Sequence, residues 1–157
     1  MKILALDQAT KITGWSIFED NQPTAYGTLE VDEKGDAISR MEAMCHEIDG
    51  VLDLYAPQFV VLEGVQYQKN QMVYSQLSQM QGCIFKSLFH RQLPFRIIEP
   101  SAWKSHVGII GRKRCEQKEH AIQLVELLYG IQVAEDVAEA VLIGRWATES
   151  IMQKESR

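Results

Sequence analysis

Two short apolar runs in this chain each end in an acidic residue, and this feature most limits how the chain can fold. The run at residues 3–6 leads directly into Asp7, and the run at residues 59–62 leads directly into Glu63. Such runs are typical of strands that are buried on both faces of a sheet. A sheet containing both strands holds the two carboxylates at its rim on rigid backbone.

A second acidic feature lies nearer the C-terminus, where Asp136 and Glu139 are three residues apart. In a helix these two positions lie at the edge of the apolar face that contains Val137, so both can point toward the rim of the sheet. The alternative is that they favourably meet the helix dipole, just as Asp7 alone can begin a turn. Together, four carboxylates from two strands and a helix predict an oxygen-only site for Mg²⁺ or Mn²⁺ and metal-dependent phosphoryl chemistry.

Composition indicates an ordinary globular protein. The chain has 157 residues, of which 46% are hydrophobic and 24% are charged, so we expect one domain spanning residues 1–157. No apolar stretch is long enough to cross a bilayer, and the first residues lack a signal-peptide pattern. Cys45, Cys83 and Cys115 lie in no metal-ligand spacing. We therefore expect reduced thiols, a cytoplasmic location and no membrane partner.

The distribution of charge matters more than its sum. A formal net charge of −5 argues against a nucleic-acid partner, yet residues 104–118 contain five basic residues and one acid, Glu116. Such a basic ridge can bind a polyanion, especially where metal ions neutralise the carboxylates; a solvated basic surface is an equally open interpretation. The five basic residues are Lys104, Arg112, Lys113, Arg114 and Lys118, and Lys118 is the best candidate to neutralise charge on a reacting phosphate.

Periodicity and turn residues give the order of the elements. Three hairpin-linked strands come first, with a turn at Asn21, Gln22 and Pro23; helices and single strands then alternate. This order predicts an α/β fold whose mixed sheet of three antiparallel and two parallel strands is flanked by helices, with the site where the strands of Asp7 and Glu63 end. The predicted strands are 3–7, 13–18, 24–31, 59–62 and 94–98, and the predicted helices are 36–55, 71–90, a turn from 100, 113–129 and 133–151.

The segments that carry the acids resemble those of the RuvC-type Holliday junction resolvases, which have an RNase H-like fold. The resemblance rests on Leu-Asp-Gln-Ala-Thr-Lys-Ile-Thr-Gly-Trp at residues 6–15, Val-Leu-Glu-Gly-Val at 61–65 followed by Lys69, and Asp-Val-Ala-Glu-Ala at 136–140. The stretch from Lys104 to Lys118 matches the family's basic segment. The likeness covers nearly the full length, and a bacteriophage member, similar to those of lactococcal phages, suits the divergence best.

This resemblance implies a homodimeric endodeoxyribonuclease that nicks opposed strands of four-way DNA junctions and leaves 5′-phosphates and 3′-hydroxyls. It implies two Mg²⁺ ions per site, with Mn²⁺ as a substitute, held by Asp7, Glu63, Asp136 and Glu139. Lys118 is the implied phosphate-side lysine of the catalytic set. The expected DNA contacts are Lys104, Arg112, Lys113, Arg114, Lys118, Lys69 and Tyr67.

Four residues depart from the family pattern. Gln8 and Ala9 stand where Pro-Gly is usual, Glu139 stands where Asp is common, and Gln66 occupies the position of a junction-wedging aromatic, with Tyr67 beside it. Forks and flaps are therefore open as substrates beside four-way junctions. A non-catalytic branched-DNA-binding protein and a related RNA-processing nuclease are the remaining alternatives, while a sugar kinase would need a second glycine-rich phosphate loop and a paired domain.

Overall fold

The protein is described by a computed structural model that covers residues 1–32, 34–67 and 69–155, with side chains up to residue 151. Within these ranges no helix is long and apolar enough to cross a membrane. The described elements, in chain order, are β1 (Ile3–Asp7), β2 (Ile12–Glu19), β3 (Gln22–Glu30), α1 (Ala37–Tyr55), β4 (Phe59–Glu63), α2 (Gln71–His90), β5 (Phe95–Ile98), α3 (Pro100–Val107), α4 (Arg114–Tyr129) and α5 (Glu135–Glu155).

The five strands form one mixed sheet in the order β3-β2-β1-β4-β5. β2 is antiparallel to both β1 and β3, whereas β4 pairs in parallel with β1 on one side and with β5 on the other. The predicted mixed sheet is therefore confirmed. Because Leu6 pairs with Leu62 across parallel strands, Asp7 and Glu63 follow at the same edge of the sheet.

Helices cover both faces of the sheet and give two hydrophobic cores. Ile3, Ala5 and Val61 point to the face on which α3, α4 and α5 pack, while Leu4 and Leu6 point to the face covered by α1 and α2. Side chains alternate between the faces of a strand, so a strand buried on both faces must be apolar throughout. The unbroken apolar run of β1 is explained by this position at the centre of the sheet.

The hairpin between β2 and β3 differs from the prediction. Gln22 already belongs to β3, and the turn is made by Asp20 and Asn21, which have φ angles of 50° and 65°. Two left-handed residues suit the twist of a tight hairpin, and Asp and Asn tolerate this conformation best after glycine. Pro23 is accommodated because β3 is an edge strand, where one side of the backbone needs no partner.

Helix α5 lies unusually close to β2, and glycines provide the space. A Cβ atom added at Gly14 would lie 1.9 Å from the carbonyl oxygen of Asp136. Further along the helix, a Cβ at Gly144 would lie 2.5 Å from Phe18 Cδ2, and the Ser16 hydroxyl donates to the carbonyl of Ala140 at 2.8 Å. The first turn of α5 therefore lies against the strand that pairs with the end of β1.

The last helix begins at Glu135, two residues later than predicted. Glu135 and Asp136 consequently lie in its first turn and Glu139 in the second. The close contact at Gly14, which pairs with Asp7, brings this acidic turn to the edge where β1 ends.

We expect Gly14→Ala to destabilise the protein by about 1–3 kcal/mol, because a methyl group in contact with backbone cannot be relieved by a rotamer change. Denaturant unfolding measures the difference. Gly50→Ala is the matched control, since Gly50 is an exposed position within α1 with open space around it. That substitution should stabilise the protein by about 0.5–1 kcal/mol. Equal stabilities of the two variants would contradict the close contact.

Candidate active site

The structure brings the four candidate metal ligands together around one cleft. Asp7 lies at the end of β1, Glu63 at the end of β4, and Asp136 and Glu139 in the first two turns of α5. All four line a cleft of about 450 Å³ at the edge where the parallel strands end. This is the place expected for a ligand site in a sheet of this topology.

The carboxyl group of Asp7 has the most perturbed electrostatics in the cleft. Burial raises the pKa of Asp7 well above its usual value, and the neighbouring Glu63, Glu139 and Asp136 raise it further. The cause is that a charged carboxylate loses its hydration on burial and is repelled by the other acids. The cleft thus concentrates negative charge that the protein alone leaves poorly compensated.

The pKa values of Glu63 and Asp136 are also raised, and neighbouring groups oppose part of each rise. Burial raises the pKa of Glu63, while a hydrogen bond from Trp103 and the positive charge of Lys104 oppose this rise. Burial likewise raises the pKa of Asp136, which the charge of Lys118 opposes. The two lysines therefore lie close enough to offset part of the negative charge of the cleft.

The donor set fits magnesium or manganese rather than zinc. Among the described residues that line the cleft, the candidate ligands are carboxylates, with no histidine or cysteine. In the described part of the chain, no three His, Cys, Asp or Glu side chains are arranged to hold an ion by themselves. Mg²⁺ usually takes only one or two protein carboxylates and completes its shell with water and substrate phosphate oxygens. An open cleft of carboxylates suits an ion of this kind.

Glu63 is held by side chains that sequence reasoning did not identify. The indole nitrogen of Trp103 donates to Glu63 Oε1 at 2.8 Å. The Glu63 carbonyl accepts from Gln8 Nε2 at 2.5 Å and from Gln81 Nε2 at 2.9 Å. Gln81 and Trp103 come from helices far along the chain, so no local spacing in the sequence indicates these contacts.

Three of the predicted basic residues line the cleft: Lys104, Arg114 and Lys118. Lys104 Nζ lies 4.0 Å from Glu139 Oε1 and donates to Gln117 Oε1 at 3.3 Å. Lys118 Nζ lies 2.5 Å from Glu135 Oε1, an exposed carboxylate at the start of α5. Glu135 is thus exposed but ion-paired.

The other predicted DNA contacts lie outside the lining of the cleft. Arg112 and Lys113 are exposed where the chain enters α4. Tyr67 and Lys69 are exposed between β4 and α2. Tyr67 is 83% exposed, and the centroid of its ring lies 5.8 Å from that of Tyr74. The neighbouring Gln66 does line the cleft, so this connection starts at the site and continues away from it.

Comparison with proteins of similar sequence gives consistent relatives. A protein of Dictyoglomus thermophilum described as crossover junction endodeoxyribonuclease RuvC is 29% identical over 147 residues, covering 91% of this chain and 93% of its own. A protein of Heliobacterium modesticaldum with the same description is 23% identical over 155 residues, covering 96% of each chain.

Solved structures show the same fold at lower sequence identity. Thermus thermophilus RuvC, solved in complex with a Holliday junction substrate, superposes with a TM-score of 0.77 at 14% identity and covers 95% of this chain and 96% of its own. The fowlpox virus resolvase, solved with Holliday junction DNA, gives a TM-score of 0.67 at 16% identity, covering 96% of this chain and 99% of its own. The expected RNase H-like fold is thereby confirmed.

A family model bearing the description "Crossover junction endodeoxyribonuclease RuvC" matches residues 3–144. This range begins with the first strand and includes all four acids of the cleft, together with every basic residue that lines it. The chain belongs to the RuvC family of crossover junction endodeoxyribonucleases.

Proposed function

We propose that this chain is a structure-specific endodeoxyribonuclease that resolves Holliday junctions by metal-dependent hydrolysis of phosphodiester bonds. The observation that carries the proposal is the meeting of four carboxylates from β1, β4 and α5 in one cleft of a RuvC-family chain. Relatives carry the name of this activity, and Thermus thermophilus RuvC has been solved with a Holliday junction. No feature of the cleft favours the non-catalytic or the RNA-processing alternative.

Asp7, Glu63, Asp136 and Glu139 are the residues that would hold the metal. The family depends on divalent metal for catalysis, and we assign two Mg²⁺ ions to this site, with Mn²⁺ as a substitute. Bound there, the two ions would lower the pKa of the attacking water and would stabilise the negative charge on the departing 3′ oxygen. The products are then a 5′-phosphate and a 3′-hydroxyl.

The basic side chains divide into two groups by position. Lys118, Lys104 and Arg114 line the cleft, where their charges stabilise the additional negative charge that develops on the reacting phosphate. The peripheral residues contact DNA away from the reacting phosphate, which fixes the register of the duplex without taking part in chemistry. These are Arg112, Lys113 and Lys69, with Tyr67 stacking on exposed junction bases.

A homodimer would present two such clefts to opposed strands of a four-way junction and so produce symmetric nicks. The altered residues beside the acids, Gln8 and Ala9, line the cleft, so forks and flaps are included among the proposed substrates. We propose that residues 1–157 form a single nuclease domain that acts on DNA in the cytoplasm. The bacteriophage origin stays a prediction.

The decisive test of function is cleavage of an end-labelled immobile four-way junction beside a matched linear duplex, with and without Mg²⁺. We expect paired, ligatable nicks in the junction only when the metal is present. Asp7→Asn and Glu63→Gln should abolish cleavage and leave junction binding largely intact, because each removes a metal ligand and keeps its volume. Glu42→Gln, an exposed acid on α1 across the sheet, is the matched control. Cleavage by Asp7→Asn would refute the site.

Lys118→Ala should slow single-turnover cleavage by about 10²-fold while changing junction affinity far less, since a charge aimed at the developing oxyanion acts mainly in the transition state. Lys113→Ala, outside the lining of the cleft, should instead weaken binding and reduce its dependence on salt concentration by about one unit of log–log slope. A loss of affinity alone in Lys118→Ala would make Lys118 a steering residue.

The raised carboxyl pKa values predict that stability without metal falls as pH rises. Asp7 binds a proton more tightly in the fold than in the unfolded chain, so its contribution is complete below the ordinary carboxyl pKa and is lost as pH rises through the raised one. Asp7→Asn should therefore have the higher unfolding midpoint in EDTA at neutral pH, and Mg²⁺ should stabilise the wild type more than this variant.

Asp36 is the control with the opposite sign. Hydrogen bonds from Ser39 at the start of α1 lower the pKa of Asp36, so its contribution is present above the ordinary pKa and is lost as pH falls. Asp36→Asn should not raise the unfolding midpoint at neutral pH.

The comparison that decides the prediction is the pH dependence of the unfolding midpoint in EDTA. Parallel profiles for wild type and Asp7→Asn would contradict the assigned repulsion in the cleft.

A further inference from the structure

Three uncharged side chains hold Glu63 from different parts of the fold. Trp103 on α3 donates to its carboxylate oxygen Oε1, and Gln8 after β1 and Gln81 on α2 donate to its backbone carbonyl. All three are almost fully buried, with relative exposures of 0% for Trp103 and 8% for each glutamine. We call Gln8, Gln81 and Trp103 the Glu63 clamp.

The clamp does more than provide a hydrogen-bond partner for the backbone carbonyl at the end of β4. One hydrogen bond would be enough to avoid the penalty of burying an unpaired carbonyl, yet the Glu63 carbonyl accepts two. One donor, Gln8, precedes β4 in the chain, and the other, Gln81, follows it. Satisfying the strand end alone does not require the second donor.

Trp103 is chemically suited to orient a carboxylate without neutralising it. An indole N–H is only a donor and carries no net charge, so Glu63 keeps its full negative charge for a cation. A lysine in the same place would compete with a metal ion. The rigid indole is fixed by its complete burial among α3, α5 and the sheet, so its N–H has one direction.

We propose that Trp103 is a positioning residue for metal binding: it fixes one oxygen of the Glu63 carboxylate and leaves the other to the divalent ion. Gln8 and Gln81 fix the backbone from which that carboxylate extends. The inference rests on the proposed function, since it assigns to Glu63 the role of a metal ligand. Partners of this kind, behind a ligand, typically change metal affinity by about 10–100-fold when they are lost.

The competing explanation is that Trp103 only fills the core. Trp103→Phe separates the two, because it keeps an aromatic ring in the core and removes the N–H. Trp146→Phe is the matched control: Trp146 belongs to the same core, and its ring stacks under Arg96 at 5.1 Å rather than contacting the acids. A purely structural role predicts similar behaviour of both variants, with lower stability and unchanged dependence on metal.

Mg²⁺ titrations with two readouts test the proposal in the full chain. The first is the rise in unfolding midpoint with Mg²⁺ in the absence of DNA, and the second is the Mg²⁺ concentration that gives half-maximal junction cleavage. We expect Trp103→Phe to need about 10–100-fold more Mg²⁺ in both, with unchanged junction affinity in EDTA. Trp146→Phe should follow the wild type. A folded Trp103→Phe with wild-type Mg²⁺ dependence overturns the proposal.

If Trp103→Phe does not fold, Gln81→Met tests the clamp instead. This change keeps the length of the side chain and removes the donor to the Glu63 carbonyl, and Gln79→Met at an exposed position of α2 is its control. We expect a shift in Mg²⁺ dependence in the same direction but smaller, because the bond from Gln8 remains. Wild-type Mg²⁺ dependence in Gln81→Met would then overturn the clamp.

The same experiments distinguish failure of the clamp from failure of the proposed function. A wild type that is stabilised by Mg²⁺ through Glu63, as shown by loss of the effect in Glu63→Gln, but cuts no junction would refute the nuclease and leave the clamp supported by its shift. A wild type that cuts junctions, beside a Trp103→Phe variant with the same Mg²⁺ dependence, would refute only the clamp. No response to Mg²⁺ in either readout overturns both.

Discussion

The contact between the start of α5 and β2 is the constraint on which the site depends. Gly14 pairs with Asp7 in the sheet, and the backbone of Asp136 lies where a Cβ of residue 14 would be. Because both sides of this contact are backbone, the separation of the two acids is set by sheet geometry rather than by flexible side chains. Ser16 and Gly144 continue the contact along the helix, so α5 is held against β2 from Asp136 to Gly144.

This rigid backbone holds together the carboxylates of the cleft, whose like charges would otherwise move apart. Burial and mutual repulsion raise the pKa values of Asp7 and Glu63, so the metal-free fold carries an electrostatic cost that its packing must offset. The positive charge of Lys104 opposes this cost at Glu63, and the charges of Lys118 and Arg114 oppose it at Asp136. Lys118 also pairs with Glu135. A cation that binds only the folded chain recovers this cost by mass action.

Sequence patterns predicted the parts of the fold that follow from local periodicity. The bounds of β1 and α2 agree at both ends with the prediction, and Asp7 and Glu63 meet because parallel pairing follows from the order of the elements. The predicted position of the hairpin turn was wrong. The prediction included the nearby proline in the turn, whereas Asp20 and Asn21 are the residues that take left-handed conformations. The Trp103 contact was not foreseen, since it joins side chains 40 residues apart and depends on the packing of α3.

The position of the acids also explains how an acidic chain can serve a polyanionic substrate. Four of its carboxylates are gathered in the cleft, where they repel phosphate unless cations intervene, while Arg112 and Lys113 are exposed beyond it. Two divalent ions would neutralise these four carboxylates and leave the lysines and Arg114 of the cleft as excess positive charge. Metal binding and the placement of the reacting phosphate would then be coupled through one electrostatic field, while basic residues outside the cleft could hold the rest of the DNA without metal. The net charge of the whole chain gives no indication of this, because repulsion and attraction are decided within the cleft.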